Sequence, residues 1–157
     1  MTLVAEYRDA RRGEDLARLR RVIALRAMVA SGMSQREIAE ALGVSQPAVS
    51  QQLRFAPELD RVDPKTLLEA GAPVLKALAR DRGFTRLAVF GSAARREAGP
   101  DSDIGLLVRA PRGTSSFVLV TFQQLIENVL GRHVDLVEYG GLKAGLDDDI
   151  RREAVLL

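Results

Sequence analysis

Gly91 and Ser92 follow an apolar run, Leu87 to Phe90, and ten residues separate them from Asp103, which opens a second apolar run. Asp135 lies inside a third, within Val134-Asp135-Leu136-Val137. A Gly-Ser turn leading into a helix offers backbone N–H groups to phosphate, and Ser92 adds a hydroxyl. Asp residues placed in apolar runs in this way suit metal-assisted phosphoryl transfer. A two-metal site of this kind wants a further carboxylate at 105, because residues i and i+2 of a strand share a face. Position 105 is Gly. The residues therefore read as a nucleotide-transfer site with one metal ligand missing.

The elements that must position these residues follow from the pattern. Strands are predicted at 85–90, 103–109 and 133–138, a short helix near 92–97, a helix at 115–130 and a C-terminal helix from about 142 to 154. Asp63-Pro64 makes a cap and first turn for a further helix. Gly71 and Pro73 are expected to break and restart it, with an end near Gly83. Leu16, Leu19, Val22, Ile23, Arg26 and Ala27 form a mostly apolar helical stripe near the N-terminus, and Gly13 is expected to separate it from a short first helix at about 2–11. Pro57, Asp60, Asp63 and Pro64 cluster between the two halves. The fold class is α+β: an all-α N-terminal domain at 1–56, a helical linker at 57–74, and a small α/β domain with a mixed sheet at 75–157.

With 46% apolar and 28% charged residues, the chain reads as globular and not disordered. No apolar run approaches the roughly 20 residues that span a bilayer, and the N-terminus lacks the layout of a signal peptide, so a cytoplasmic location and no membrane contact are expected. The absence of Cys excludes disulfides and thiolate metal sites. Residues 1–56 carry nine Arg against six acids, whereas the remainder is nearly balanced. The basic excess lies where a nucleic-acid contact would want it, although arginines on helices are commonly only a solvated face.

Ser34-Gln35-Arg36-Glu37 is a capping box, and the helix it starts, 35–42, stops at Gly43. Ser45 caps a second helix, with Pro47 in its first turn. Ile38, Ala39, Leu42, Val44, Val49 and Leu53 form the expected inner face. Ala39, Gly43 and Val49 have the small, turning and apolar character that two closely crossing helices need. The segment at about 20–54 resembles the helix-turn-helix of bacterial repressors. That resemblance implies that the second helix enters the major groove of double-stranded operator DNA, with Ser45, Gln46, Ser50, Gln51 and Arg54 exposed to it. Gln can bridge adenine N6 and N7, and Arg36 in the first helix would meet phosphate. A homodimer on two half-sites is the usual solution. An interaction-only helical module of the same shape is the alternative.

The order strand, Gly-Ser, short helix, strand with Asp, helix, strand with Asp resembles the minimal nucleotidyltransferases of the DNA polymerase β superfamily over about 75–157. The resemblance implies ATP and Mg²⁺ as cofactors, nucleotide binding by Gly91, Ser92 and Arg95, and metal binding and catalysis by Asp103 and Asp135. Two residues depart from the family pattern: Arg96 stands where Gly is common, and Gly105 replaces the second metal carboxylate, weakening any metal and nucleotide site. Asp101 with Asp103 is an alternative, shifted pair, but Asp101 follows the loop signal Gly99-Pro100. Asp135 could instead be the surface residue of an edge strand.

His133 is the sole His; a His-based metal site is excluded on that ground, and a surface role at the start of a strand is expected. Asp147, Asp148 and Asp149 read as an exposed acidic turn. Phe117, Phe122, Leu125, Ile126 and Leu130 read as a core-facing stripe. Small members of the superfamily often act as antitoxins beside a HEPN ribonuclease toxin, so the resemblance implies a regulator that binds a toxin protein and represses a shared promoter. Two other functions stay open: an active enzyme that attaches AMP to its partner, and a repressor that senses a nucleotide without reacting.

Overall fold

The computed structural model describes residues 2–95, 99, 102–145 and 147–157. Helix α1 runs unbroken over Leu3–Ala30, capped by Thr2. Gly13 does not divide it. Its helical cost relative to Ala is only about 1 kcal/mol, and nothing lies within 4 Å of the place of a Cβ there. Helices α2 (Gln35–Leu42) and α3 (Gln46–Arg54) follow. After a 3₁₀ turn at Leu59–Arg61, α4 runs over Pro64–Asp81 with Asp63 as its cap.

Gly71 and Pro73 do not break α4 either. Pro73 is exposed, while Leu67, Leu68, Leu75 and Leu78 on the turns around it are buried. Their burial outweighs the ~3 kcal/mol that an interior Pro costs. Gly71 has a packing role: a Cβ there would sit 3.3 Å from Leu130 Cδ2 and 3.5 Å from Ile23 Cδ1, so the missing side chain lets α4 lie close against its helical neighbours.

Strand β1 (Thr85–Phe90), strand β2 (Ile104–Arg109), helix α5 (Ser116–Leu130) and strand β3 (Val134–Glu138) come next, then helix α6 (Asp148–Glu153) and strand β4 (Val155–Leu156). The sheet order is β3-β2-β1-β4, with β2 and β3 parallel and the other pairs antiparallel. The mixed sheet expected from the sequence is present. The expected helix at 142–154 is not: only α6 is helical, after a turn in which Gly145 has φ +86°, and the chain then adds an edge strand to β1. At 92–97, residues 91–95 form a turn, and 96 and 97 lie outside the described residues.

Leu87, Val89, Ile104, Leu106, Val108, Val134 and Leu136 face one side of the sheet, where Leu19, Ile23 and Ala27 of α1 join residues of α4 and α5 in a single core. The opposite side holds a smaller cluster of Ala88, Leu107 and Leu142, with Phe90, Val137 and Tyr139 against it. The helix-turn-helix closes on Leu25 of α1 with Ile38, Ala39 and Val49, flanked by Met28, Met33 and Leu53. One helix thus contributes to the cores of both halves.

Three expected core residues are exposed. Leu42 is 48% and Val44 41% exposed, because the three-helix cluster is filled by α1 residues before it reaches them. Phe117 is 79% exposed: it lies in the first turn of α5, whose burial is partial at Leu119 and full from Phe122. Among the described residues, no helix is long and apolar enough to cross a membrane.

Candidate active site and nucleic-acid interface

At the end of β1, Gly91 turns the chain with φ +77°, a conformation that L side chains resist. Arg95 N–H donates to the Gly91 carbonyl at 3.1 Å and closes the turn that carries Ser92. Arg96, Pro100 and Asp101 lie outside the described residues, and with them the shifted Asp101–Asp103 pair. Asp103 immediately precedes β2. The parallel register sets Ile104 beside Val134 and Gly105 beside Asp135, so the site face of the two strands carries Asp103, Gly105, His133 and Asp135 together.

The ligand atoms of Asp103, His133 and Asp135 all lie within 4.8 Å of one another, and all three side chains are exposed. Two carboxylates and an imidazole on one face fit a divalent cation. The approach to Asp103 is pinned by Arg132, whose guanidinium donates to the Ser102 carbonyl at 2.8 Å and to the Val62 carbonyl at 2.9 Å. The Ser102 hydroxyl oxygen accepts from Gly99 N–H at 3.0 Å.

Strand β3 is an edge, and an edge leaves alternate N–H groups unpaired. Helix α5 satisfies two of them: Val134 N–H donates to Glu127 Oε1 at 3.3 Å, and Leu136 N–H donates to Gln123 Oε1 at 3.0 Å. Glu127 Oε1 is also 3.2 Å from His133 Nδ1, and His133 Nε2 is 3.2 Å from Asp135 Oδ1. His133 is at the surface and at the start of its strand, as expected. Being the sole His does not keep it out of a candidate metal site, as the sequence suggested, because it joins Asp103 and Asp135 in one cluster. Its i, i+2 relation to Asp135 on a strand was the available signal.

The Gly at 105 has a structural counterpart. A Cβ at Gly105 would lie 2.8 Å from Cε2 and Cζ of Phe90, the residue paired with it across β1 and β2. The half-buried Phe90 ring occupies the space that a side chain at 105 would need. A mid-strand Gly with no evident packing role in the sequence thus has one.

Arg95, expected to meet phosphate, has its guanidinium on Glu153 of α6, Nη1 to Oε2 at 2.7 Å. A phosphate at the Gly91-Ser92 turn would compete with that carboxylate.

In the helix-turn-helix both halves of the capping box form, Glu37 N–H to Ser34 Oγ at 3.1 Å and Ser34 N–H to Glu37 Oε1 at 3.4 Å. Gly43 ends α2 at φ +69°. Ser45 Oγ accepts from Ala48 N–H at 3.2 Å, which leaves its hydroxyl proton to donate. Gln46, Gln51 and Arg54 are exposed on α3 and Ser50 is half-buried beside them. Arg36 is exposed, with a loose ion pair to Glu40 at 3.6 Å.

Residues 73–157 match the nucleotidyltransferase domain family, and the chain belongs to it. Residues 20–55 match the bacterial regulatory protein, arsR family, so a helix-turn-helix of a DNA-binding regulatory type is joined to the transferase fold. The chain is 41% identical over 73 residues to a provisionally named protein adenylyltransferase of Methanocaldococcus jannaschii, a match that spans 46% of this chain and 78% of the relative. It is 36% identical over 80 residues to protein adenylyltransferase MntA of Thermococcus cleftensis, spanning 51% and 81%. A solved structure provisionally described as a minimal nucleotidyltransferase superposes with TM-score 0.53 at 33% identity, covering 66% of this chain and 99% of the other.

Proposed function

We propose that this chain is a cytoplasmic DNA-binding regulator of the antitoxin kind, in which the nucleotidyltransferase-like domain grips a toxin protein or a nucleotide and transfers little or nothing. Residues 1–56 read the operator as a homodimer, 57–74 connect, and 75–157 meet the partner. Gln46, Gln51, Ser45 and Ser50 read base edges, and Arg36 and Arg54 meet phosphate. A basic N-terminal third supports this division of labour.

The observation that carries the reading is the Phe90 ring over Gly105. Two-metal transfer needs hard oxygen ligands around both ions, and here one carboxylate is absent and its space is filled by an apolar ring. Neutralisation by binding is the function left to such a domain. Mg²⁺ and ATP would be held by Asp103, Asp135, Gly91 and Ser92, more weakly than in a complete site.

Two observations favour a second reading, an active Mg²⁺-dependent enzyme that attaches AMP to its partner: Asp103 and Asp135 keep their ligand atoms within 4.8 Å, and the named relatives are protein adenylyltransferases. The two readings separate in a growth-rescue assay with a HEPN-type ribonuclease as the toxin. Equal rescue by the parent and Asp103→Ala is expected for neutralisation by binding. Rescue that disappears in Asp103→Ala would move the enzyme to first place.

A further inference from the structure

His133 is oriented as metal-binding histidines are. Its Nδ1 faces Glu127 Oε1 at 3.2 Å. A carboxylate only accepts, so in the tautomer that binds metal Nδ1 donates to Glu127, and Nε2 is left for a cation in the space it shares with Asp135 Oδ1, 3.2 Å away, and with Asp103. Without a cation the ring can donate from either nitrogen, to Glu127 or to Asp135. Glu127 is itself fixed by accepting Val134 N–H. Carboxylate, imidazole and metal in that order is the arrangement that sets tautomer and ring orientation in metal sites.

The geometry points to a single divalent-metal site formed by Asp103 Oδ, His133 Nε2 and Asp135 Oδ1, with His133 as the third protein ligand that position 105 does not supply. The inference deepens the nucleotide-and-metal half of the proposed function and rests on it. Phe90 closes the space over Gly105, so a second ion finds no ligand there. One imidazole nitrogen with two carboxylate oxygens changes the metal preference. Mg²⁺ favours oxygen donors in a near-ideal octahedron, whereas imidazole suits later first-row ions, and affinity rises along that row from Mn²⁺. The site is accordingly expected to prefer Mn²⁺ to Mg²⁺.

The test uses the full chain stripped of metal and titrated with MnCl₂ or MgCl₂ alone, with no nucleotide and no partner. Calorimetry gives stoichiometry and affinity, and pulsed electron paramagnetic resonance on the Mn²⁺ form reports nitrogen coupling from a bound imidazole. The expected result is one Mn²⁺ per chain, bound more tightly than Mg²⁺, with nitrogen coupling. Replacement of His133 by Ala removes the coupling and lowers Mn²⁺ affinity by roughly 10- to 100-fold, the range already seen when partners of metal ligands are lost. Replacement of Glu127 by Gln lowers Mn²⁺ affinity by about tenfold and keeps the coupling. His133→Asp, an all-oxygen set, shifts the preference toward Mg²⁺.

His133 is exposed, so its variants are expected to melt with the parent. Unchanged Mn²⁺ affinity in His133→Ala, absent nitrogen coupling, or two ions per chain would overturn the assignment, the first outcome making His133 an imidazolium clasp between carboxylates. None of these readouts depends on toxin neutralisation or operator binding, so a failure here leaves the regulatory reading standing and the reverse also holds.

Discussion

If the Phe90 ring occupies the space of a side chain at 105, adding a single carbon there must be costly, and removing the ring must cancel the cost. The Cβ of Gly105→Ala would lie 2.8 Å from Cε2 and Cζ of Phe90, against an ordinary carbon–carbon separation of about 3.5–4.0 Å. The ring has to move by about 1 Å, between β1 and the cluster around Leu107 and Ala88. Overpacking of this size costs about 1–3 kcal/mol. Phe90→Ala alone loses roughly half of the ~3–5 kcal/mol of a fully buried Phe, since the ring is half-buried. In the double variant the clash is gone and Ala replaces a conformationally freer Gly, a gain of about 0.5–1 kcal/mol. The backbone gain is common to the single and the double variant and cancels, so urea unfolding of the four proteins, with midpoints compared at a common m-value, should give a coupling free energy of about 1–3 kcal/mol in favour of the pair. Effects that add to within about 0.5 kcal/mol would mean that the ring swings aside freely, and the steric account of Gly105 would be wrong.

Gly13→Ala should stabilise the chain by about 0.5–1 kcal/mol, measured by the same unfolding, because α1 is helical there and a Cβ meets nothing within 4 Å. Arg26 donates to the Val129 and Asn128 carbonyls at 3.0 and 2.7 Å, so it caps the C-terminus of α5 from α1. Arg26→Ala should cost about 1–3 kcal/mol, and Arg26→Lys less. On a defined operator, Gln51→Ala should cost about 1–3 kcal/mol and relax specificity at one base pair, while Arg54→Ala should weaken binding to all sequences and reduce the salt slope by about 1; a gel-shift series at several salt concentrations reads both.

Local signals were the most legible part of the sequence. Ser34 with Glu37, Gly43, Ser45 with Pro47, and Asp63 with Pro64 each act within one or two helical turns, and each forms as read. Strand β1 and helix α5 were legible for the same reason: alternation and helical periodicity are properties of contiguous residues. What depends on distant packing was not. Gly71 reads as a breaker until Ile23 and Leu130 are seen against it. Phe117 matches the helical stripe but lies in the exposed first turn of α5. The two residues of β4 are too few to show a period, and only their pairing with Ala88 and Val89 makes a strand of them.

The site divides along the same line. Asp103 and Asp135 were legible as strand residues of one layout. The contacts of Arg95 with Glu153, of Phe90 with Gly105, and of Arg132 with Ser102 span long stretches of chain and carry no sequence signal.

In the proposed function the transferase fold is kept while the transfer chemistry is withheld at 105. The decisive measurement is AMP transfer from α-labelled ATP with Mg²⁺ onto a co-expressed HEPN-type ribonuclease, with the parent, Asp103→Ala, and a double variant of Gly105→Asp with Phe90→Leu, which supplies the carboxylate and the space for it. No label is expected from the parent, label from the double variant, and none once Asp103→Ala is added to it. Label from the parent that is lost in Asp103→Ala would overturn the proposal and make the chain a working adenylyltransferase.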